Sequence, residues 1–113
     1  MDEDANIDLA AKRIVWGKFF NAGQTCITAD YILAHKNIRD KLVDALQKYI
    51  TQFYGDEPKN SKSLARVISK DHTKRLANLF KMGKVVIGGQ SDIEVRGIAK
   101  KKKGSAVPLN ILI

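Results

Sequence analysis

Phe19-Phe20-Asn21-Ala22-Gly23-Gln24-Thr25-Cys26-Ile27, followed at once by Tyr31-Ile32-Leu33-Ala34, is the stretch on which the fold turns. Before it, Ile7, Ala10, Ala11, Ile14, Val15 and Phe19 recur every three or four residues, the spacing of one buried helical face. Asp4 or Asn6 can cap that helix, and the acidic residues around them suit the positive end of its dipole. Gly17 interrupts the pattern and signals either close backbone packing or an incidental residue. Gly23 is a natural terminator. After the glycine turn, Tyr31–Ala34 reads as a short strand buried on both faces, as in a parallel sheet. Helix and strand here, then helix, helix and strand further along, predict an α/β arrangement with a parallel sheet covered by helices.

Working outward, Ile38, Leu42, Ala45, Leu46, Tyr49, Ile50 and Phe53 form the clearest apolar stripe. Asn37 is the expected cap, Gly55 the expected stop, and Asp44 to Lys48 the expected ion pair on the outer face. A third helix is predicted over about 71–81, capped by Ser69 or Asp71, with Leu76, Leu79 and Phe80 inward and Gly83 beyond it. Lys84-Val85-Val86-Ile87 then reads as a second buried strand. From Lys100 the character changes to four lysines, Gly104-Ser105 and an apolar end, Val107–Ile113, that can pack as an edge strand or stay exposed. The change of composition divides the chain into a part over 1–99 and a basic, apolar tail over 100–113.

The 113 residues suffice for one core and not two. Net charge is +8, and the four acids in the first eight residues cancel the four lysines at 100–103, so the excess lies in the body. With aromatic residues at only 7%, mostly beside apolar neighbours, nucleic-acid binding is the less favoured use of that charge. The lysine run reads as a solvated tail in preference to a nuclear address or phosphate patch. Cys26 is the only cysteine, which excludes an internal disulfide and points to a reducing, cytoplasmic setting. With His35 and His72 it has no recognised metal-ligand spacing, so no metal site is expected. Nor does any apolar run approach the roughly 20 residues that span a bilayer.

Cys26 is the residue that carries chemistry. A lone cysteine is commonly an inert core residue, but this one follows a glycine turn at the end of a helix, where α/β proteins place active loops. As a nucleophile it acts as thiolate, and neither histidine has a sequence relation that makes it the base. Trp16-Gly17-Lys18-Phe19-Phe20-Asn21-Ala22-Gly23-Gln24-Thr25-Cys26-Ile27 strongly resembles the cysteine motif of aldehyde dehydrogenases. The run Asp8–Ile14, with Asp30–Leu33 and Phe53-Tyr54-Gly55 downstream, is similar to the class 3 and fatty-aldehyde branch, and the likeness continues through Ala65–Ile68, His72, Arg75-Leu76 and Gly88-Gly89 to about Ala99.

That resemblance implies a piece of a catalytic domain with a Rossmann-like parallel sheet and covering helices. It implies that Cys26 attacks an aldehyde, that the thiohemiacetal passes hydride to NAD or NADP, and that water activated by a glutamate releases the acid. The amide of Cys26 would serve the oxyanion hole, with Gly23 and Gln24 shaping the loop. The glutamate, the partner asparagine of the oxyanion hole and the cofactor domain all belong to upstream parts of the family pattern, so the chain by itself is expected to be inactive. Possible partners are an aldehyde, a second copy, or a full-length relative whose sheet the chain could complement; a non-catalytic partner-binding fragment is the alternative function.

Overall fold

The computed structural model describes residues 1–89 and 111–112. Helix α1 spans Ile7–Phe19, α2 Arg39–Tyr54 and α3 Lys70–Leu79; strand β1 is Val85–Ile87 and β2 is Ile111–Leu112. The expected boundary at 99/100 and the lysine run lie outside the described residues.

α1 starts where an acceptor meets the first free amides. Asn6 caps it, its side-chain oxygen accepting from the Leu9 amide at 3.0 Å, and Asp8 sits in the first turn. α2 starts differently from the expectation. Asn37 does not cap it, because its side-chain amide is committed to Glu3 Oε2 at 3.0 Å. Instead His35 Nδ1 accepts from the Asn37 amide at the head of a 3-10 turn, Lys36–Ile38, that feeds the helix. The stop is as expected: Gly55 takes φ 78°, a left-handed conformation that suits glycine, and its amide closes on Thr51 O. Ser69 caps α3 by accepting from the His72 amide.

The core is the α1–α2 contact. Ala11 and Val15 of α1 are buried against Leu42, Leu46, Tyr49 and Ile50 of α2, with Leu64 from the following loop closing the cluster. Gly17 serves no close approach: a Cβ there would meet nothing within 4 Å. Nor does Lys48 pair with Asp44. It reaches Asp8 on α1 at 2.9 Å, where Tyr49 also donates its hydroxyl, so one carboxylate ties the two helices together. Those bonds, Tyr49 first and Lys48 second, hold the Asp8 carboxyl below its ordinary value.

A carboxyl whose pKa is depressed by folding contributes stability above its unfolded value, about 3.9, and that contribution disappears as pH falls through the folded value. Asp8→Asn is therefore expected to lower the thermal midpoint at pH 7, with the gap to the parent narrowing as pH falls below the ordinary carboxyl value of about 3.9. Melting curves from pH 2 to 7 check this; a constant gap across that range would contradict it.

Three expectations need correction. The inward face of α3 is not buried at Leu76, Leu79 and Phe80; Leu79 is 38% exposed, and the buried residue is Thr73. The three apolar side chains border an open groove of about 700 Å³ against α1 and α2, because α3 does not close onto the two-helix core. Tyr31–Ala34 is neither a strand nor buried: Tyr31 and Leu33 are each 78% exposed. A strand needs a neighbour, and no ladder flanks this segment among the described residues. Its one backbone contact is with Met1, whose amine donates to Leu33 O while the His35 amide donates to Met1 O. That two-bond pattern centred on Ala34 is the one a parallel bridge makes. Finally, the only ladder among the described residues is antiparallel, β1 against β2, with Val85 opposite Leu112 and Ile87 opposite Ile111. One end of the apolar tail thus packs as an edge strand.

Candidate active site

Three consecutive left-handed residues end the first helix. Asn21 has φ 50°, Ala22 φ 57° and Gly23 φ 76°. For an L-residue each such step costs roughly 1–2 kcal/mol, and asparagine and glycine tolerate it best. Ala22 bears the strain while buried, so surrounding packing must hold it there. At Gly23 any side chain would add a second penalty, since a Cβ would stand 3.2 Å from Lys18 O. The helix therefore reverses within one turn and the chain emerges into Gln24–Thr28.

Cys26 lies in a tight turn closed by the Thr28 amide donating to Thr25 O at 3.0 Å. Its thiol is exposed. Among the described residues its backbone N–H has no acceptor, which leaves it free to donate to an oxygen anion formed at the sulfur. Among the described residues no hydrogen bond or ion pair joins a basic side chain to Cys26. His35 is engaged with the Asn37 amide and lies 3.4 Å from Glu3, and Glu3 is itself bonded to Asn37. Lys18, half-buried at the end of α1, pairs with the exposed Asp30 at 3.9 Å, a weak contact.

Gln24 does the most to fix the loop. Its side-chain nitrogen donates to Asn21 O at 3.0 Å and to Arg66 O at 3.1 Å, and its oxygen accepts from the Ile68 amide at 2.9 Å. The cysteine turn is thereby tied to a segment more than 40 residues away in sequence. Sequence reasoning gave Arg66 and Ile68 no role, because no local spacing reveals a bond over that separation. The large groove reaches Gly23, Gln24, Ala29 and Asp30 but not Cys26, so it lies beside the turn and is not the reaction pocket. A smaller cavity, about 450 Å³, touches the loop at Asn21 and is walled by aromatic rings including Trp16 and Phe20.

Residues 1–107 match the model of the aldehyde dehydrogenase family. The chain belongs to the aldehyde dehydrogenase family. Its curated relatives include aldehyde dehydrogenase family 3 comG of Dictyostelium discoideum and family 3 member B1 of Mus musculus, each 48% identical over 99 residues, 88% of this chain and 21% of theirs. The dimeric NADP-preferring aldehyde dehydrogenase of Canis lupus familiaris is 41% identical over the same length. The chain thus spans about a fifth of the length of these relatives.

Among solved structures, the substrate-bound state of Staphylococcus aureus AldH superposes with a TM-score of 0.78 at 43% identity, covering 82% of this chain and 21% of that one. An NAD-dependent aldehyde dehydrogenase from Sinorhizobium meliloti has the same fold at a TM-score of 0.73 and 24% identity, covering 98% of this chain and 22% of its own. The class 3 resemblance of Asp8–Ile14, Asp30–Leu33 and Phe53-Tyr54-Gly55 therefore agrees with the match to family 3 relatives over 99 residues. The helices and turns described above are an incomplete piece of an aldehyde dehydrogenase.

Proposed function

We propose that this chain is the nucleophile-bearing part of an enzyme that oxidises aldehydes to carboxylic acids, with Cys26 as the attacking group. The observation that carries the reading is Cys26 itself: an exposed thiol whose backbone amide has no acceptor among the described residues, held in a tight turn anchored by Gln24. As thiolate, its sulfur adds to the aldehyde carbon, the carbonyl π bond opens onto oxygen, and a proton from water completes a thiohemiacetal. The Cys26 amide is placed to donate to that oxygen while it carries charge. Gly23 and Gln24 act on the loop and not on the substrate.

NAD or NADP is the cofactor that family membership suggests. The described residues do not fit it: none of the three helices starts from a glycine-bearing strand-to-helix turn, the feature that receives a dinucleotide pyrophosphate. In the whole protein, Tyr31–Ala34 would belong to a parallel sheet, a role favoured by the parallel-type bonds around Ala34. Residues 100–113 would form a tail, with the family match running to residue 107. A cytoplasmic setting fits a chain that keeps one exposed thiol. No helix among the described residues is long and apolar enough to cross a membrane.

The test is NADH or NADPH formation from aliphatic and aromatic aldehydes. The chain alone is expected to give none, because neither a water-activating carboxylate beside Cys26 nor a cofactor seat is present among the described residues. Sustained turnover that disappears in Cys26→Ser would overturn this.

A second reading, association with another chain, is favoured by one observation. The amides of Ala29–Leu33 make no backbone hydrogen bond among the described residues, and Tyr31 and Leu33 are exposed beside them, an open edge for an added strand.

A further inference from the structure

Arg66 donates through its two terminal guanidinium nitrogens to Lys59 O at 2.5 Å and Leu64 O at 3.3 Å. Those bonds draw both ends of the 59–64 loop onto one planar group. Lysine, with a single ammonium on a flexible stem, does not reproduce that fork. Two atoms of the braced segment, Arg66 O and Ile68 N, face Gln24, the spacing that one edge of an extended chain presents to a strand neighbour. The Gln24 carboxamide answers as a peptide group would, donating to the first and accepting from the second. Its orientation is fixed by this pairing, since rotating the amide would set nitrogen against nitrogen and oxygen against oxygen. Its remaining donor hydrogen returns to Asn21 O and locks the left-handed turn that ends three residues before Cys26.

We infer that Arg66 is a positioning residue for Cys26, acting through the 59–68 segment and the Gln24 carboxamide. The inference rests on the reading of Cys26 as the nucleophile. Its mechanical part concerns the Thr25–Thr28 turn alone and is measurable separately.

Amide hydrogen exchange on the full chain reads each link. The Asn60 and Ser61 amides report the Arg66-braced loop, Ile68 reports the Gln24 bond, and Thr28 reports closure of the cysteine turn. In Arg66→Ala all four are expected to exchange at least fivefold faster, with Leu9 at the α1 cap unchanged. Arg66→Lys should recover part of that protection, because one carbonyl can still be held. If Arg66→Ala fails to fold, Gln24→Met, near in shape and without the amide, takes its place: Ile68 and Thr28 should lose protection while Asn60 and Ser61 keep theirs.

Faster exchange at Asn60, Ser61 and Ile68 with Thr28 unchanged would overturn the inference and leave Arg66 a purely structural brace. Iodoacetamide labelling of Cys26 on the same samples separates the two levels. The native parent is expected to react at a rate at least threefold different from the urea-unfolded chain, and Arg66→Ala to move toward the unfolded rate. A parent that already reacts like the unfolded chain would sink the reading of Cys26 while leaving the exchange result standing.

Discussion

Leu46→Ala is expected to leave the chain largely unfolded or barely folded at room temperature. Leu46 is 3% exposed and lies in the cluster that joins α1 to α2, where Ala11, Val15, Leu42, Tyr49, Ile50 and Leu64 are its fellow members. Removing a buried leucine side chain costs about 2–5 kcal/mol, the higher end applying where neighbours cannot collapse into the space. Ala11 and Val15 sit on the rigid backbone of a helix and have little side chain with which to fill it. Whole domains carry only about 5–15 kcal/mol, and a chain of this size buries too small a fraction of its surface to stand at the upper end.

Leu79, 38% exposed on the wall of the groove, gives the contrast. Leu79→Ala should cost about 1 kcal/mol or less, because much of its surface already faces water. Urea unfolding followed by circular dichroism measures both. Equal losses at the two positions would mean that α3 closes onto the core in solution and that the groove is filled.

Much of the helical layer is legible in the sequence, and the reason is local. A period of three or four, a capping side chain and a left-handed glycine all act within a few residues, so Asn6, Ser69 and Gly55 are where the pattern puts them. The cap on α2 fails because Asn37 is claimed by Glu3, a partner more than 30 residues away that no spacing rule contains. Lys48 is misassigned for the same reason: its local partner Asp44 competes with Asp8 across the helix interface, and Asp8 also collects the Tyr49 hydroxyl.

The strand at Tyr31–Ala34 is a different kind of failure. Its composition records the environment of a sheet interior, but ladder formation depends on a neighbouring backbone, and among the described residues only Met1 bonds to it. Apolar composition thus reports what a segment is built to pack against, and secondary structure reports what is beside it. At the site, Cys26 and Gly23 are visible in the sequence because a glycine turn and a lone thiol are local features. The brace from Arg66 is not, since the partners of its guanidinium and of the Gln24 carboxamide are distant main-chain atoms that no spacing marks.

The second large effect concerns the thiol. Cys26 is the sole cysteine, so any thiol label reports on it without ambiguity. Cys26→Ser should abolish labelling completely. More informative is competition between the label and an aldehyde. A thiohemiacetal converts the sulfur from a nucleophile into part of a saturated centre, and a label that reacts only with free thiolate must wait for the adduct to reverse. An exposed thiol whose own turn supplies an amide donor should favour that adduct over the one formed by a free cysteine in solution.

The most direct measurement is therefore the rate of iodoacetamide labelling of the native chain, followed by intact mass, with and without a millimolar aliphatic or aromatic aldehyde, beside N-acetylcysteine under the same conditions. Cys26 as the nucleophile of an aldehyde dehydrogenase predicts labelling slowed at least threefold more in the native chain than in the small thiol. That excess should vanish when the chain is unfolded in urea. Equal slowing of chain and small thiol, in a sample shown to be folded, would contradict it and leave Cys26 an ordinary surface thiol.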